Sequence, residues 1–366
     1  MRTTAQVCLL LAALFTGRAM GNDTMTAIDG HMQRYAGDGP GAALLVVRDG
    51  DTLVRRAYGL ADLEQGIAVT PATRFRLASV SKQFTATAVL LLIDDGVLRL
   101  DDPVRRWLPA LPAHADGVTL HHLLAHTGGL PDYEDLMAAD FSGQVRDADV
   151  VCLLANGLPC DAAAGTPPAA AIAPYFAPGS AYRYSNTGYA LLARVVEEAS
   201  GRRYADFLQA RIFAPLGMDG AVAFEDGVSQ VAHRAYGYST AADGWQRTDQ
   251  STTSAVLGDG GIYASIDDLT AWAAALDDGR LLSPASRARM VAAQTTTPTG
   301  EPDVDAYGYG WRLHGDLLWH SGETIGFRNV ILHWPRQRLT VVLLSNRNDP
   351  EPYATARAIA ALFLEP

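Results

Sequence analysis

The sequence has few cysteines, no basic cluster and no apolar run long enough to cross a membrane. Its 366 residues include three cysteines, and 29 Lys and Arg residues stand against 40 Asp and Glu, for a formal net charge of −11. A negative chain without a run of Lys or Arg is a poor match for nucleic acid or for an anionic membrane. A small molecule or a peptide is the expected partner, and the oligomeric state stays open.

The first 21 residues have the pattern of a secretory signal peptide. Arg2 supplies a positive charge, residues 7–15 form a short apolar core, and small residues between 17 and 21 offer cleavage sites. This core is too short to span a bilayer, which takes about 20 residues. An N-terminal core helix is the alternative. We expect an exported protein, periplasmic or secreted, without a stable membrane anchor.

Export would leave Cys152 and Cys160 in the mature chain. In an oxidising compartment these two residues can close a small disulfide loop, and two buried free thiols are the alternative. The sequence leaves both possibilities open.

Strand patterns lie at both ends of the chain, and helical patterns lie between them. Residues 42–58 read as a hairpin, and strands are expected over 309–314, 317–320, 327–333 and 339–345, before a terminal helix. This order predicts an α/β protein of the α+β type, with one antiparallel sheet built from both termini, flanked by helices, and a mostly helical insertion. We expect one domain over 22–366, with a sheet region of about 22–75 and 300–366 and a helical region of about 76–299.

A Ser and a Lys lie three positions apart where an amphipathic helical pattern begins. Side chains at i and i+3 share one face of a helix, so the Lys82 ammonium can reach the Ser79 hydroxyl. Free backbone N–H groups at a helix N-terminus can hold a developing oxyanion. A lone S-x-x-K is a weak signal, and a capped helix with an exposed Lys is its ordinary explanation.

Two further short motifs accompany it: Tyr184-Ser185-Asn186 after a Pro-Gly turn, and His320-Ser321-Gly322 at the end of a predicted strand. A serine acylating enzyme needs a nucleophile, a group that takes and returns its proton, and oxyanion donors. We assign Ser79 as nucleophile and Lys82 and Tyr184 as the proton-transfer pair. His320 is assigned as a further catalytic residue beside the Tyr184 phenol, and Asn186 as a donor to substrate that also holds Lys82. The main base of the pair stays open.

With these motifs the chain resembles the serine β-lactamase and penicillin-binding protein superfamily, from about residue 42 to the C-terminus. Tyr-Ser-Asn as second element resembles the class C-like branch, which includes D-alanyl-D-alanine carboxypeptidases, D-aminopeptidases and β-lactamase-fold esterases. Flanking stretches support it: LLAHTGGL at 123–130, PGSAYRYSNTGY at 178–189, PLGM at 215–218 and GDGGIYA at 258–264.

The resemblance implies an oxyanion hole made by the backbone N–H groups of Ser79 and Glu323, with Ser321 and Gly322 lying against substrate. His320 stands where lactamases of the family carry Lys, and an imidazole is mostly neutral at pH 7. A β-lactam carboxylate would be held less firmly, which favours peptidase, amidase or esterase relatives. Arg328 is a candidate carboxylate-binding cation, with an ordinary exposed strand Arg as the alternative.

No metal or organic cofactor is expected. His122 and His126 have the i, i+4 spacing of a zinc helix, but Leu123 stands where the Glu of H-E-x-x-H belongs. His126 is interpreted as a hydrogen-bonding residue that fixes its loop.

The sequence therefore predicts an exported serine hydrolase that forms an acyl-enzyme on Ser79. Its substrate is an amide, ester or lactam, with a D-amino-acid peptidase or amidase and a carboxylesterase as the leading alternatives. A true class C-type β-lactamase and a non-catalytic, penicillin-sensor-like acyl receptor are the rivals.

Overall fold

The computed structural model describes residues 22–160, 172–298 and 300–364. The expected signal peptide, residues 1–21, lies outside these described residues. None of the helices in the described ranges is both long and apolar enough to cross a membrane.

The strands are β1 (Ala42–Arg48), β2 (Asp51–Tyr58), β3 (Leu60–Asp62), β4 (Ile67–Ala68), β5 (Phe75–Arg76), β6 (Val222–Ala223), β7 (Tyr238–Ala241), β8 (Gly244–Arg247), β9 (Ile262–Ala264), β10 (Thr295–Thr296), β11 (Ala306–Tyr307), β12 (Arg312–His314), β13 (Leu317–Thr324), β14 (Phe327–Trp334) and β15 (Leu339–Ser345).

The α-helices are α1 (Asn22–Met32), α2 (Lys82–Asp94), α3 (Val104–Trp107), α4 (Leu120–Leu124), α5 (Tyr133–Leu136), α6 (Asp147–Asn156), α7 (Asn186–Ser200), α8 (Tyr204–Leu208), α9 (Ala214–Leu216), α10 (Leu257–Gly260), α11 (Ile266–Asp278), α12 (Pro284–Val291) and α13 (Tyr353–Ala361).

One eight-stranded antiparallel sheet joins the two ends of the chain. Its strand order is β10-β11-β12-β13-β14-β15-β1-β2, so the first strand of the chain pairs with the last. Ala42 lies opposite Ser345 in this pairing, and Arg48 lies opposite Leu339. The predicted fold class is confirmed: both termini build the sheet, and a mostly helical region is inserted between them.

Alternating side chains of the central strands face two different cores. Leu45 and Val342 belong to the larger core, which packs against the helical region. Leu44 and Val341 belong to a smaller core shared with α1 and α13. Since residues alternate across a strand, this buried-on-both-faces pattern explains why β1 and β15 are almost wholly apolar.

Some local predictions differ from the structure. The strand expected over 309–314 is shorter, Arg312–His314. The sequence did not indicate α12 or the three-stranded sheet β5-β9-β6. Strands of two or three residues have too few positions for alternation to reveal them.

Helix α2 runs through the larger core. Every residue from Lys82 to Leu92 is buried, including Lys82 itself at 0% exposure. A helix buried on all sides holds its first turn rigidly, so the packing of α2 fixes the position of the lysine. Of the two alternatives for the cysteines of the mature chain, the structure has the disulfide, between Cys152 on α6 and Cys160.

Candidate active site

Ser79 lies in a tight 3-10 turn, Ala78–Ser81, immediately before α2. Ala78 has a φ of 49°, in the left-handed region that a residue with a side chain rarely adopts. The turn is held in this shape because Leu77 donates its backbone N–H to the carbonyl of Ile262 at 2.8 Å. This strained turn presents the Ser79 hydroxyl to the cleft.

Lys82 uses all three of its ammonium hydrogens. Nζ lies 3.0 Å from Ser79 Oγ, 2.8 Å from Asn186 Oδ1 and 2.9 Å from the backbone oxygen of Asp259. An ammonium has three donors, so the buried charge is fully hydrogen-bonded. The predicted contact between the nucleophile and its lysine is therefore present in the structure, and Asn186 holds the lysine as predicted.

The start of α7 places Asn186. Ser185 caps this helix by accepting the N–H of Gly188 at 3.4 Å. The Asn186 backbone N–H is bound by a carboxylate oxygen of Asp132 at 2.7 Å, and its side-chain amide donates to Glu134 Oε1 at 3.3 Å. The second motif is thus anchored to the loop and helix at 132–134.

The turn at α10 supplies the carbonyl that binds Lys82. The Asp147 carboxylate accepts the backbone N–H groups of Leu257 at 2.8 Å and Gly258 at 2.9 Å. Thr85 of α2 donates its hydroxyl to the carbonyl of Gly258 at 2.6 Å. The turn is thereby attached on one side to α6 and on the other to α2. These two attachments fix the position of the Asp259 carbonyl relative to Lys82.

Two buried carboxyl groups flank this turn. Burial raises the pKa of Asp147 to about 7, although two N–H bonds oppose the rise. Burial also raises the pKa of Asp259 to about 7, against the effect of Lys82 nearby, and Tyr133 donates its hydroxyl to Asp259 Oδ2 at 2.9 Å. Desolvation of the charged form is the dominant cause in both cases.

Tyr184 lies over the lysine. Its ring centroid is 5.0 Å from Lys82 Nζ, and its buried hydroxyl has no hydrogen-bond partner among the described residues. His126 packs against the Tyr184 ring at 4.4 Å, and its Nδ1 accepts the backbone N–H of Ser185 at 3.1 Å. His126 therefore fixes the loop of the second motif, and Tyr184 keeps a free hydroxyl for proton transfer.

His320 is fully buried and neutral. Nδ1 lies 2.6 Å from the backbone oxygen of Ser321, and Nε2 lies 3.1 Å from the Tyr307 hydroxyl. Nδ1 must donate to the carbonyl, so Nε2 accepts from the tyrosine. Burial, assisted by the charge of Arg312, holds the pKa of His320 well below its usual value. Its ring is 6.0 Å from that of Tyr184, and it carries no charge to offer a substrate.

The cation beside the third motif is Arg312, which the sequence analysis did not single out. Its NH1 donates to Ser321 Oγ at 2.7 Å, and its guanidinium lies 5.7 Å from the Tyr184 ring centroid. The structure does not bring Arg328 to this position. Arg328 instead binds Glu351, with Nε 2.7 Å from Oε1, since it lies opposite Ser345, the last residue of β15, and therefore beside the chain that follows this strand.

Ser321, Gly322 and Glu323 lie on a stretch of β13 that β12 does not cover. β12 pairs only with Leu317 to Trp319, so the strand edge beyond them is open among the described residues. A Cβ on Gly322 would lie 2.1 Å from the Leu77 carbonyl oxygen, so only glycine lets the strand approach the nucleophile turn this closely. Glu323 lines the cleft together with Ser79.

Acidic side chains line the cleft around Ser79. Its wall includes Glu134, Asp259 and Glu323, and Arg76 also lines it. Burial, and then the charge of Asp132, raises the pKa of Glu134. The cleft therefore offers a favourable place for a positively charged group on a substrate.

The described residues contain no group of three or more His, Cys, Asp or Glu side chains placed to hold a metal ion. His122 is used in the cap of α4, where its Nδ1 accepts the Thr119 N–H at 3.2 Å. The chemistry of this site is that of a hydroxyl nucleophile, an amine, a phenol and backbone N–H donors, which together can perform acyl transfer.

Asp147, Glu134 and Arg312 are the site residues that sequence reasoning missed. Asp147 and Glu134 act through contacts between elements far apart in the chain, and Arg312 acts through the pairing of β12 with β13. Short motifs encode neither kind of contact. The sequence does carry one further signal for the site, since Lys82 is the only lysine in the 366 residues.

Comparisons with known proteins match most of the chain. A family model described as Beta-lactamase matches residues 26–365. Penicillin-binding protein 4* of Bacillus subtilis (strain 168) is 32% identical over 344 residues, which cover 88% of this chain and 72% of that protein. A D-aminopeptidase of Gluconobacter oxydans (strain 621H) is 32% identical over 330 residues, covering 88% of this chain but only 59% of the relative. The structure of D-amino acid amidase from Ochrobactrum anthropi SV3, complexed with D-phenylalanine, aligns with a TM-score of 0.74 at 25% identity, over 93% of this chain and 99% of that one.

Proposed function

Because this chain belongs to the beta-lactamase family and is a serine hydrolase, we propose that it hydrolyses the amide bond that follows a D-amino acid with a free amino group. Such substrates are D-amino acid amides and short peptides that begin with a D-residue. The observation that carries the proposal is the Glu134 carboxylate in the Ser79 cleft, 3.3 Å from the Asn186 amide and without an ion-pair partner among the described residues.

The substrate ammonium binds between Glu134 and the neighbouring Asp132. A cation beside these two carboxylates offsets their mutual repulsion, which contributes to the raised pKa of Glu134. The Asn186 amide, which already contacts Glu134, can turn toward the substrate carbonyl region. A D-aminopeptidase and a D-amino acid amidase among the similar proteins support this substrate class.

The leaving group lies on the Tyr184 side of Ser79. Arg312 and Ser321 form a cationic, hydrogen-bonding pair there, with Arg312 NH1 on Ser321 Oγ and Arg312 Nε 3.3 Å from Oε2 of the exposed Glu301. They provide a binding place for the carboxylate of a short peptide, which the neutral His320 does not. An amide without this carboxylate would leave the pair unused, so dipeptides are expected to bind more tightly than simple amides.

The reaction proceeds in two steps. Ser79 Oγ attacks the carbonyl carbon while the Lys82 and Tyr184 pair, in the form that has lost one proton, takes the serine proton, and the N–H groups of Ser79 and Glu323 hold the oxyanion. The C–N bond breaks as Tyr184 returns the proton to the departing amine. A water then attacks the ester, loses its proton to the same pair, and frees Ser79 and the D-amino acid.

Hydrolysis of D-alanine p-nitroanilide tests the proposal against its N-acetyl and L-alanine counterparts. The D-aminoacyl substrate is expected to have a kcat/KM about 10-fold or more above its N-acetyl counterpart, since a charged hydrogen bond contributes about 1.5–3 kcal/mol. It should also exceed the L-alanine counterpart, whose ammonium would be displaced from Glu134. Glu134→Gln should remove most of this advantage. Asp135→Asn, on the same short helix but bonded to Tyr175 and Arg183, is the matched control.

Equal rates for the free and acetylated amines would overturn the amine-binding assignment. If only p-nitrophenyl esters turn over, the carboxylesterase alternative replaces it. A fluorescent penicillin that labels the protein permanently, with no turnover of any substrate, would instead support the acyl receptor.

Export is part of the same proposal. The signal-peptide pattern of residues 1–21 supports it, and so does the Cys152–Cys160 disulfide, because disulfides persist in oxidising compartments. N-terminal sequencing of the protein from the periplasm or medium should begin near residue 22. An uncleaved chain confined to the cytoplasm would refute this part.

A further inference from the structure

A cavity of about 350 Å³ lies away from the Ser79 cleft, between α11, α12 and the sheet. Its inner wall is apolar and buried, and is formed by Trp272, Leu282, Met290 and Leu318. Exposed residues such as Ala288 also line it, so the cavity reaches the surface. This size is in the range of small-molecule sites, about 300–1,000 Å³.

A buried carboxylate faces this cavity without a hydrogen bond. The Asp277 side chain is 6% exposed, and its oxygens have no hydrogen-bond partner among the described residues. The nearest basic atom is His333 Nε2, at 3.7 Å from Oδ1, beyond hydrogen-bond distance. Burial holds the His333 pKa down, to about 4, so the imidazole is neutral and offers no compensating charge. An unpaired buried carboxylate is costly unless a donor reaches it.

A cation without a carboxylate partner lies on the same wall. Arg287 makes no ion pair within the described part of the chain, and its NH1 is 3.3 Å from the backbone oxygen of Asp277. A Cβ on Gly279 would be 2.2 Å from this NH1, so the glycine makes room for the guanidinium. The other lining arginine, Arg338, is already paired with Asp49 at 3.2 Å.

We propose that this cavity binds a free hydrophobic α-amino acid. Its ammonium donates to Asp277 and to His333 Nε2, and its carboxylate accepts from Arg287. Its apolar side chain packs on Trp272 and Met290. An amine alone would leave Arg287 without a partner and would be repelled by the two arginines of the wall. A carboxylate alone would be repelled by the charge of Asp277. The zwitterion is therefore the ligand whose charges match the wall.

The cavity also contacts α2, the helix that begins with Lys82. Thr87 lines it: its hydroxyl donates to the Gln83 carbonyl at 2.8 Å, and its Oγ1 lies 3.8 Å from Met290 Sδ. Thr87 follows Lys82 on α2 by about 7–8 Å along the axis, at 1.5 Å per residue. The site is distinct from the catalytic cleft, and it does not rest on the function proposed above.

Isothermal titration with leucine as the probe, in both enantiomers, tests the site. Wild type is expected to bind leucine at least 10-fold more tightly than 4-methylpentanoate, which lacks the ammonium, or isoamylamine, which lacks the carboxylate. Asp277→Asn should weaken leucine binding by about 10-fold or more, the cost of a lost charged hydrogen bond. Glu134→Gln, in the catalytic cleft, should leave the cavity affinity unchanged and separates the two sites.

A second variant guards against misfolding of the first. Ala288→Trp fills the cavity from an exposed position, and it should abolish leucine binding without altering the thermal unfolding midpoint. The proposal is overturned if neither enantiomer of leucine binds to the wild-type protein. It is also overturned if leucine binds Asp277→Asn and Ala288→Trp as tightly as it binds wild type. Binding of either truncated probe as tightly as leucine would also overturn it.

Discussion

Lys82 is buried, triply hydrogen-bonded and the only lysine of the chain. Its three hydrogen bonds go to the Ser79 hydroxyl, to Asn186 of the second motif and to the Asp259 carbonyl of the α10 turn. Proton transfer from Ser79 requires that the first of these contacts be kept while the other two hold the amine in place. Catalysis therefore requires an amine that can exchange a proton at this position, and a positive charge alone is not sufficient.

Lys82→Met should therefore lower kcat/KM for a p-nitrophenyl ester by about 10²–10⁴-fold, the usual contribution of a positioned general base. Lys82→Arg should not restore activity, because a guanidinium does not give up its proton at these pH values. Circular dichroism checks folding. Selective ¹⁵N-lysine labelling gives a single side-chain signal, and that signal should move when Ser79 is acylated. More than a tenth of wild-type activity in Lys82→Met would exclude the lysine as base.

Ser79, Lys82, Tyr184 and Asn186 could be chosen from the sequence because each lies in a short motif with its own local geometry. Arg312 could not, because it meets Ser321 only through the pairing of β12 with β13. Arg328 illustrates the same limit. Its position on the second-to-last strand of the chain was predictable, but its contact with Glu351 was not.

Among the elements, the α10 turn links three helices, α2, α6 and α7, to Lys82. Asp147 at the start of α6 holds the turn from one side, and Thr85 of α2 holds it from the other. Gly258 is required at the centre, since a Cβ there would be 2.3 Å from the carbonyl oxygen of Tyr189 on α7. Asp147 is thus a positioning residue that acts on Lys82 through the Asp259 carbonyl.

Asp147→Asn tests this role, because an amide offers one acceptor oxygen where the carboxylate offers two. One N–H of the turn loses its partner, and kcat is expected to fall about 10-fold, equivalent to about 1.4 kcal/mol, with KM little changed and the pH profile of kcat shifted.

Asp149→Asn is the matched control, since Asp149 caps the same helix through Arg146 N and binds Cys160 N without touching the turn. It should lower the unfolding midpoint and leave the pH profile as in wild type. An identical response of both variants would reduce Asp147 to a structural residue.

The longer elements were predictable from periodicity, and the short ones were not. β15 was expected over 339–345 and runs from Leu339 to Ser345. The sheet β5-β9-β6, which carries the chain into the Ser79 turn, has strands of two or three residues. Tertiary contacts define these strands, so no local pattern announces them.

For the molecule as a whole, buried histidines set the response to acid. Burial lowers the pKa of His333 to about 4 and holds the pKa of His126 and His320 well below the usual value. Such a group is neutral in the folded state, while the unfolded state binds a proton below about pH 6.5. Stability is therefore lost as pH falls through this window. Asp147 and Asp259, with raised pKa values, act in the opposite direction.

His333→Gln isolates one of these contributions. Between about pH 7 and pH 4, wild type is expected to lose about 3 kcal/mol more unfolding free energy than the variant, from a pKa difference of about 2.5 at 1.36 kcal/mol for each unit. Urea denaturation at both pH values measures this, and the contributions of the other groups cancel between the two proteins. Parallel losses in wild type and variant would show that His333 is protonated in the folded state.

The fold class and the antiparallel sheet from both termini followed from the order of strand and helix patterns along the chain. The substrate side of the cleft did not follow, because its charges come from α5 and β12, which only folding brings to Ser79. The 350 Å³ cavity was equally hidden, since its lining residues are ordinary core residues in sequence.

The most direct test of the catalytic assignment is mass spectrometry of the protein during turnover. After incubation with a slowly deacylated ester or lactam, the intact mass should rise by one acyl group, and peptide mapping should place that group on Ser79. Ser79→Ala should show no adduct and no hydrolysis while its thermal unfolding stays close to wild type. An adduct on another residue, or hydrolysis by folded Ser79→Ala, would contradict the account.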